Sequence, residues 1–339
     1  MKKIRLIWVP VMVMMGLQFI YLCSCKEEDE LPGGITTEKI TKVTDHSACC
    51  CGAVIDEGSS EVWERGICWC CSENPTKTKM DGFSLYTKDS VSYQCALSGL
   101  SPNTTYYVRA FATNHEGTAY GNQISFTTAP TVTDIDGNVY HTVYIGDRLW
   151  MAENLEVTRY RNGDPIPEGE NITVWGNLYT GAWIDLPAQF NKGYGLLYNF
   201  YAVSDVRNLA PEGWHVATDE EWKILSGTVD SRYLVGDPNW EDAGYHGYDA
   251  GGNLKSTTDQ WTQPNNGATD KYGFSALPGG YMDWDNMGFL LNDEQAVFWT
   301  ATPFNGSNAW YRALTYQGPG IYRNVASKQG GASIRCVKD

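Results

Sequence analysis

The stretch Thr218-Asp219-Glu220-Glu221-Trp222-Lys223-Ile224-Leu225 decides how the C-terminal half of the chain is read. Thr218 followed three residues later by Glu221 is a capping box, in which the hydroxyl and the carboxylate each take a backbone N–H of the other's residue. Asp219 and Glu220 sit where the positive end of the helix dipole favours acids. Trp222, Ile224 and Leu225 supply an apolar face. A helix is therefore expected from residue 219, and a second, short one over 196–203. The rest of this half reads as short strands and long loops. Asp134-Ile135-Asp136-Gly137-Asn138-Val139-Tyr140 is strand, Asp-Gly turn, strand, and 144–151 continues that pattern.

Ala129-Pro130 is a natural joint upstream, because proline restrains the residue before it. The unit placed at 130–339 holds ten of the thirteen tryptophans. The unit placed at 35–129 reads as strands. Segments 61–69, 92–97, 105–112 and 123–127 alternate apolar and polar residues between turn clusters. Several short strands at this spacing predict an all-β sandwich. Leu97-Ser98-Gly99-Leu100-Ser101-Pro102-Asn103-Thr104-Thr105-Tyr106 resembles the corner of a fibronectin type III-like domain, where a Leu-Pro turn leads into a strand whose tyrosine anchors the corner. The resemblance implies a spacer or adhesive module.

Residues 1–24 have the order of a secretory leader: Lys2, Lys3 and Arg5, an apolar run over 6–22, then Leu22-Cys23-Ser24-Cys25. As a membrane span the run is at the low limit of length, and Pro10, Gly16 and Gln18 weaken it. Its last four residues resemble a bacterial lipobox. That implies a lipid on Cys25, a tether over 25–34, and attachment to the outer membrane with exposure at the cell surface. Buried acyl chains anchor stably because each CH₂ contributes about 0.8 kcal/mol. Lys26-Glu27-Glu28-Asp29-Glu30 reads as a solvated spacer. It also resembles the lysine-plus-acid address of surface-exposed bacterial lipoproteins.

The 339-residue chain has a net charge of −15, and the leader holds basic residues but no acid. Such a surface repels nucleic acid and anionic lipid, so neither is expected as a ligand. Charged residues at 19% and aromatics at 13% suit packed domains rather than disorder. Cysteines cluster at Cys49, Cys50 and Cys51 and at Cys68, Cys70 and Cys71, with Cys95 beyond. Neighbours on a strand point to opposite faces. Cys68-x-Cys70 is also too short for a zinc knuckle, and His46 is the only nearby imidazole. No metal and no cofactor is expected. Buried free thiols are preferred, with one bridge between the clusters left open.

The C-terminal unit resembles the Fibrobacter succinogenes major paralogous domain family. The carriers are 146–155, 195–202, Ala210-Pro211-Glu212-Gly213-Trp214-His215-Val216 running into the capping box, 272–280, Phe298-Trp299-Thr300-Ala301-Thr302, and Ala332-Ser333-Ile334-Arg335-Cys336-Val337. Members are common in surface lipoproteins. The resemblance implies an α+β, C-type lectin-like fold, with two helices beside twisted sheets and a loop-rich ligand face. Relatives often carry a cysteine where this chain has Ala210, so Cys336 is expected as a buried free thiol. The same scaffold serves formylglycine-generating enzymes, but their pair of reactive cysteines has no counterpart here.

Catalytic readings are weak. His215 would need a nucleophile and an orienting acid in reach, no Gly-x-Ser-x-Gly elbow accompanies it, and it reads as a structural histidine. Asp283 and Asp285 resemble a glycosidase pair only in type, since sequence does not set their separation. Binding readings are stronger. The loop-like segment 280–288 places Tyr281, Asp283, Trp284 and Asp285 together, and 305–311 adds Trp310 and Tyr311. Sugar rings present apolar C–H faces and a hydroxyl rim, which suits aromatic platforms edged by polar groups. The alternative is that these aromatics pack in the core. Gln263-Pro264-Asn265 resembles the calcium-and-sugar tripeptide of C-type lectins, with Asp259 and Asp270 near and Asn292-Asp293 a poor second half. A plain turn is the expectation there. The chain thus reads as a non-catalytic surface lipoprotein, a fibronectin-like stalk bearing a lectin-like domain for glycan or a surface protein. Rival readings are an envelope enzyme acting on polysaccharide and a structural or adhesive scaffold subunit.

Overall fold

The computed structural model describes residues 30–88, 90–169, 172–188, 192–283, 288–290 and 292–339. The leader and Cys25 lie outside the described residues, as do Trp284 and Asp285. No helix among the described residues is long and apolar enough to cross a membrane.

The N-terminal unit is a sandwich of two antiparallel sheets. Strands β1 (Gly33–Thr41), β2 (Ala48–Asp56) and β5 (Ser92–Leu97) form one, in the order β1-β2-β5. The other runs β4 (Gly82–Tyr86), β3 (Glu64–Cys70), β6 (Thr105–Asn114), β7 (Gly117–Tyr120), with β8 (Ile124–Thr127) also on β6. Along β5 exposed and buried residues alternate strictly, as the sequence pattern requires. Ile67, Leu97, Val108 and Ala110 are fully buried between the sheets. At the corner entering β6, the Ser101 N–H donates to the Tyr106 hydroxyl at 3.0 Å. Strand order and this tyrosine tie define a fibronectin type III-like sandwich. Before β1, Glu30 is already held to the unit, its carbonyl accepting from Asn114 Nδ2 at 2.9 Å.

The described cysteines are all free thiols. Cys50 faces Cys95 across the β2–β5 ladder. Burial pushes the Cys50 thiol up to about 12 and that of Cys68 to about 11, so both stay protonated and unreactive at neutral pH.

The C-terminal unit opens with the hairpin of β9 (Val132–Thr133) and β10 (Val139–Tyr140). Its turn is built by Asp134, whose carboxylate accepts the N–H of Asp136 at 2.9 Å and of Asn138 at 3.0 Å. One sheet then joins β11 (Thr142–Ile145), β12 (Arg148–Met151), β23 (Cys336–Lys338) and β15 (Trp214–Val216). A second joins β13 (Trp183–Ile184), β14 (Leu197–Asn199), β22 (Gly331–Ala332), β17 (Tyr281–Asp283) and β18 (Gly288–Leu290). The third joins β16 (Gly244–His246), β21 (Ile321–Ser327), β20 (Asn308–Thr315) and β19 (Gln295–Pro303).

The expected helix is α3 (Asp219–Val229; α1 is Ile172–Trp175 and α2 Phe200–Val203). Both capping-box bonds form: Glu221 N–H to Thr218 Oγ1 at 3.2 Å, and Thr218 N–H to Glu221 Oε2 at 2.9 Å. The buried stripe is Trp222, Leu225, Ser226 and Val229, with Ile224 only half-buried. Trp222 packs edge-on against Trp150 and Phe274 and tilted over Phe298.

Three expectations are corrected. The segment 196–203 is not one helix: 197–199 pair with β13 and β22, and only the short α2 follows, capped by Asn199. Within segment 280–288 the described residues 281–283 are not loop but the strand β17, paired with β18 from Gly288. The α+β expectation of two helices beside twisted sheets is not supported. Among the described residues α3 is the sole helix longer than five residues, α4 (Ala250–Leu254) being one turn, and the unit is mostly β. Cys336 is a fully buried free thiol, raised by that burial, as the Ala210 substitution implies.

Candidate functional site

Antiparallel pairing of β19, β20 and β21 lines up one face of side chains. Trp299 lies opposite Tyr311, and Tyr322 opposite Ala313. Beside them β22 is nearly bare: a Cβ on Gly331 would sit 3.1 Å from Met282 and 3.2 Å from Trp175, so glycine is what lets β17 and β14 close in. The result is a groove of about 1040 Å³ floored by Met282, Val297, Trp299 and Ala332. Six tyrosines wall it: Tyr179, Tyr201, Tyr245, Tyr281, Tyr311 and Tyr322. Ring centroids are 4.9 Å apart for Tyr245 and Tyr322, 6.1 Å for Tyr311 and Tyr322, and 6.0 Å for Tyr179 and Tyr201.

Polar groups come from Gln295, Asn308, Ser327 and Gln329. Gln329 is fixed in place, its side-chain Nε2 donating to Gly176 O at 2.7 Å while its backbone carbonyl accepts from Trp175 Nε1 at 2.6 Å. Asp283 is the single formal charge among the described lining residues. Burial raises the hydroxyls of Tyr281 and Tyr311 above the ordinary tyrosine range, so they stay neutral donors and acceptors. Among the described lining residues there is no imidazole, thiol, ammonium or guanidinium. The described lining residues can therefore stack apolar faces and hydrogen-bond neutral hydroxyls, and among them none pairs with an anion.

Of the residues singled out from sequence, Tyr281, Asp283 and Tyr311 meet in this groove. Trp310 does not, and that expectation is corrected. It is next to Tyr311 on β20, and strand neighbours point to opposite faces. Its ring lies under the Arg323 guanidinium, 3.6 Å from the centroid, and edge-on to Phe304 at 5.1 Å. Tyr179, Tyr201, Tyr245 and Tyr322 were not anticipated. The signal available was a chain of 21 tyrosines, of which Tyr179 and Tyr245 are 72% and 58% exposed.

His215 is hydrogen-bonded on both ring nitrogens, Nδ1 to Asp339 at 2.6 Å and Nε2 to Glu221 at 2.9 Å, and Glu221 also takes Arg148 at 2.6 Å. It joins the end of β23 to the start of α3. The calcium-like tripeptide is a turn. Asn265 Nδ2 donates to Ser256 O at 3.0 Å, Asp270 accepts from Ser275 N and Oγ, and Asp293 accepts from Lys192 and Tyr194. These oxygens hold loops together.

Fold and groove together define a two-module, mostly β protein in which a fibronectin type III-like sandwich precedes a unit with a tyrosine-walled groove. The chain belongs to the Fibrobacter succinogenes major domain family, whose sequence model matches residues 143–338. Comparison with curated proteins gave no match. Among solved structures, the sensor domain of the anti-sigma factor RsgI4 in Pseudobacteroides cellulosolvens is similar at 19% identity and a TM-score of 0.23, over 29% of this chain and 96% of that one. The sixth fibronectin type III domain from human fibronectin type III domain containing protein 3 is similar at 23% identity and 0.24, over 32% and 95%. The sandwich assignment rests on strand order and the Tyr106 tie, not on these overlaps.

Proposed function

We propose that this chain is a lipid-anchored, non-catalytic surface protein whose C-terminal unit binds neutral glycan in the tyrosine groove. The observation that carries the reading is the composition of the groove: six tyrosines around about 1040 Å³ with Asp283 as the lone described charge. Pyranose C–H faces stack on tyrosine faces, and sugar hydroxyls find Gln295, Asn308 and the neutral tyrosine hydroxyls. The C-type lectin-like likeness belongs to this proposal, since long loops between short strands form the groove's rim. Anchoring through Cys25 would set the groove beyond the sandwich, outside the cell.

The test is a glycan array probed with the leaderless chain, comparing neutral with sulfated or sialylated oligosaccharides. Neutral glycans should bind, and Tyr311→Ala or Tyr281→Ala should weaken binding about tenfold or more, as for central aromatic anchors. A preference for anionic glycans, or unchanged binding in both variants, would defeat the reading. In cells, labelled fatty acid should enter the wild-type chain and not Cys25→Ala, which should leave the membrane fraction.

A further inference from the structure

The two units meet at a seam that shares no residue with the groove lining. The loop between β1 and β2 lies against β11: Thr44 bridges Val143, and the Ala129 N–H donates to Thr44 O at 3.0 Å. At this seam Asp45, whose side chain is 1% exposed, stands between imidazoles from both units. Its Oδ1 is 2.7 Å from His46 Nδ1 and its Oδ2 is 2.5 Å from His141 Nδ1. The ring centroids are 4.9 Å apart, and the three candidate donor atoms all lie within 4.8 Å of one another. Glu153 borders the same space. Its Oε2 accepts the His141 backbone N–H at 2.8 Å, and its Oε1 is 3.9 Å from His141 Nε2.

We propose that Asp45, His46 and His141 bind a borderline divalent cation of the Zn²⁺ type that clamps the two units together. Imidazole nitrogens with one carboxylate suit Zn²⁺, Cu²⁺ or Ni²⁺, whereas Ca²⁺ and Mg²⁺ want oxygen shells. Tetrahedral bonds of about 2.0–2.2 Å place donors about 3.3–3.5 Å apart, so the present hydrogen-bond separations need open by less than about 1 Å. As the metal takes each Nδ1, a neutral imidazole keeps its single proton by carrying it on Nε2, and an imidazolium gives up its Nδ1 proton to solvent, so each histidine binds as a neutral ligand. The Asp45 carboxylate is deeply buried and needs positive charge beside it. A cation provides that without demanding a doubly protonated histidine pair. His46 and His141 are half-exposed, at 56% and 49%, so the metal has a way in. Glu153 or water completes the shell.

The test uses the leaderless chain, stripped with chelator and kept reduced. Calorimetric titration with Zn²⁺ should show one equivalent bound in the micromolar range or tighter. The Co²⁺ form should show visible d–d bands without sulfur-to-cobalt charge transfer, which separates this site from the cysteines. His46→Ala and His141→Ala should each weaken binding by about 10–100-fold. Zn²⁺ should also slow proteolysis at the 128–131 joint in wild type and not in the variants. His46 is exposed enough that its variant keeps the fold, so it remains decisive if His141→Ala melts early. Absence of binding in the wild type, binding undiminished in His46→Ala, or a thiolate charge-transfer band would overturn the proposal.

Discussion

The two units bury polar groups in opposite ways. The sandwich is built on long strands, β1, β2 and β6, whose ladders satisfy the backbone around an apolar core cluster, with Arg65 and Asp45 as its buried charges among the described residues. Outside β19, β20 and β21 the C-terminal unit has strands of two to four residues and long connections, whose carbonyls and N–H groups need other partners. Side chains supply them. The buried Arg335 guanidinium donates to Met151 O, Phe274 O and Ser275 O and to Asn154 Oδ1. The Asp230 carboxylate accepts backbone N–H groups from Arg232, Tyr233, Tyr248, Asp249 and Ala250. Lys255 Nζ donates to the carbonyls of Asn266, Thr315 and Gly318. A unit that keeps loops free to shape a ligand face must fix their roots with buried charge. The difference goes with the groove, which lies in the unit whose loop roots are fixed in this way.

The largest expected effect tests that charge. Asp219 is shared by Arg312 at 2.7 Å and Arg323 at 2.8 Å, all three buried. Asp219→Ala would strand two guanidinium groups and should cost the C-terminal unit about 3–5 kcal/mol. Urea unfolding followed separately by tryptophan fluorescence, dominated by that unit, and by exchange of sandwich amides should show only the first transition move. Equal movement of both would mean the units unfold as one body.

Acid should expose the same asymmetry. Burial alone would raise the Asp219 carboxyl, but Arg323 and Arg312 hold it below its ordinary value. Glu221 and Asp230 are likewise lowered against their burial, by Thr218 and His215 in one case and by backbone N–H groups in the other. A carboxyl with a lower folded than unfolded value gives stability above the unfolded range, about pH 4, and loses it as pH falls toward the folded value. The C-terminal transition should therefore weaken between roughly pH 5 and pH 3, more steeply than the sandwich, and Asp219→Asn should flatten that slope.

These differences also govern what could be read from sequence. Period-2 alternation and a turn–tyrosine signature are local, so the sandwich, its strand at 92–97 and its corner were legible. The capping box of α3 was legible for the same reason. The motifs that carry the family likeness prove to be mostly structural: Asn154, Trp222, Phe274 and Arg335 sit in the core. The groove was legible only where a short segment held several of its members, at Tyr281, Asp283 and Tyr311. Tyr179 lies in a connection and Tyr201 on α2, while Tyr245 and Tyr322 are register partners on β16 and β21, so only the folded chain gathers them. The seam was hidden likewise, since Asp45 and His141 are 96 positions apart. Trp310 misled because adjacency in sequence is opposition in a strand.

That adjacency gives a sharper, smaller test. Tyr311→Ala should impair glycan binding with a modest effect on stability. Trp310→Ala should leave the affinity intact and remove the stack with Arg323, costing about 0.5–2 kcal/mol beyond lost area. Reversal of the two outcomes would place the ligand on the α3 side of β20 and invert the assignment of faces.

The smallest effect belongs to the sandwich. Tyr106→Phe keeps a buried ring against Phe126, at a centroid distance of 6.1 Å, and removes the hydroxyl that accepts the Ser101 N–H and bonds the Cys71 side chain. The loss should be about 0.5–1.5 kcal/mol, confined to the sandwich transition. A cost near zero would mean that water reaches Ser101 and that the strand ladders alone hold the corner. A larger cost, or any movement of the C-terminal transition, would show that the corner braces the joint it adjoins, where the Asn103 N–H donates to Ala129 O at 3.1 Å. In that event the sandwich transmits strain to its neighbour, and the separation of the two units into independent folding bodies fails at the tie that looked most local.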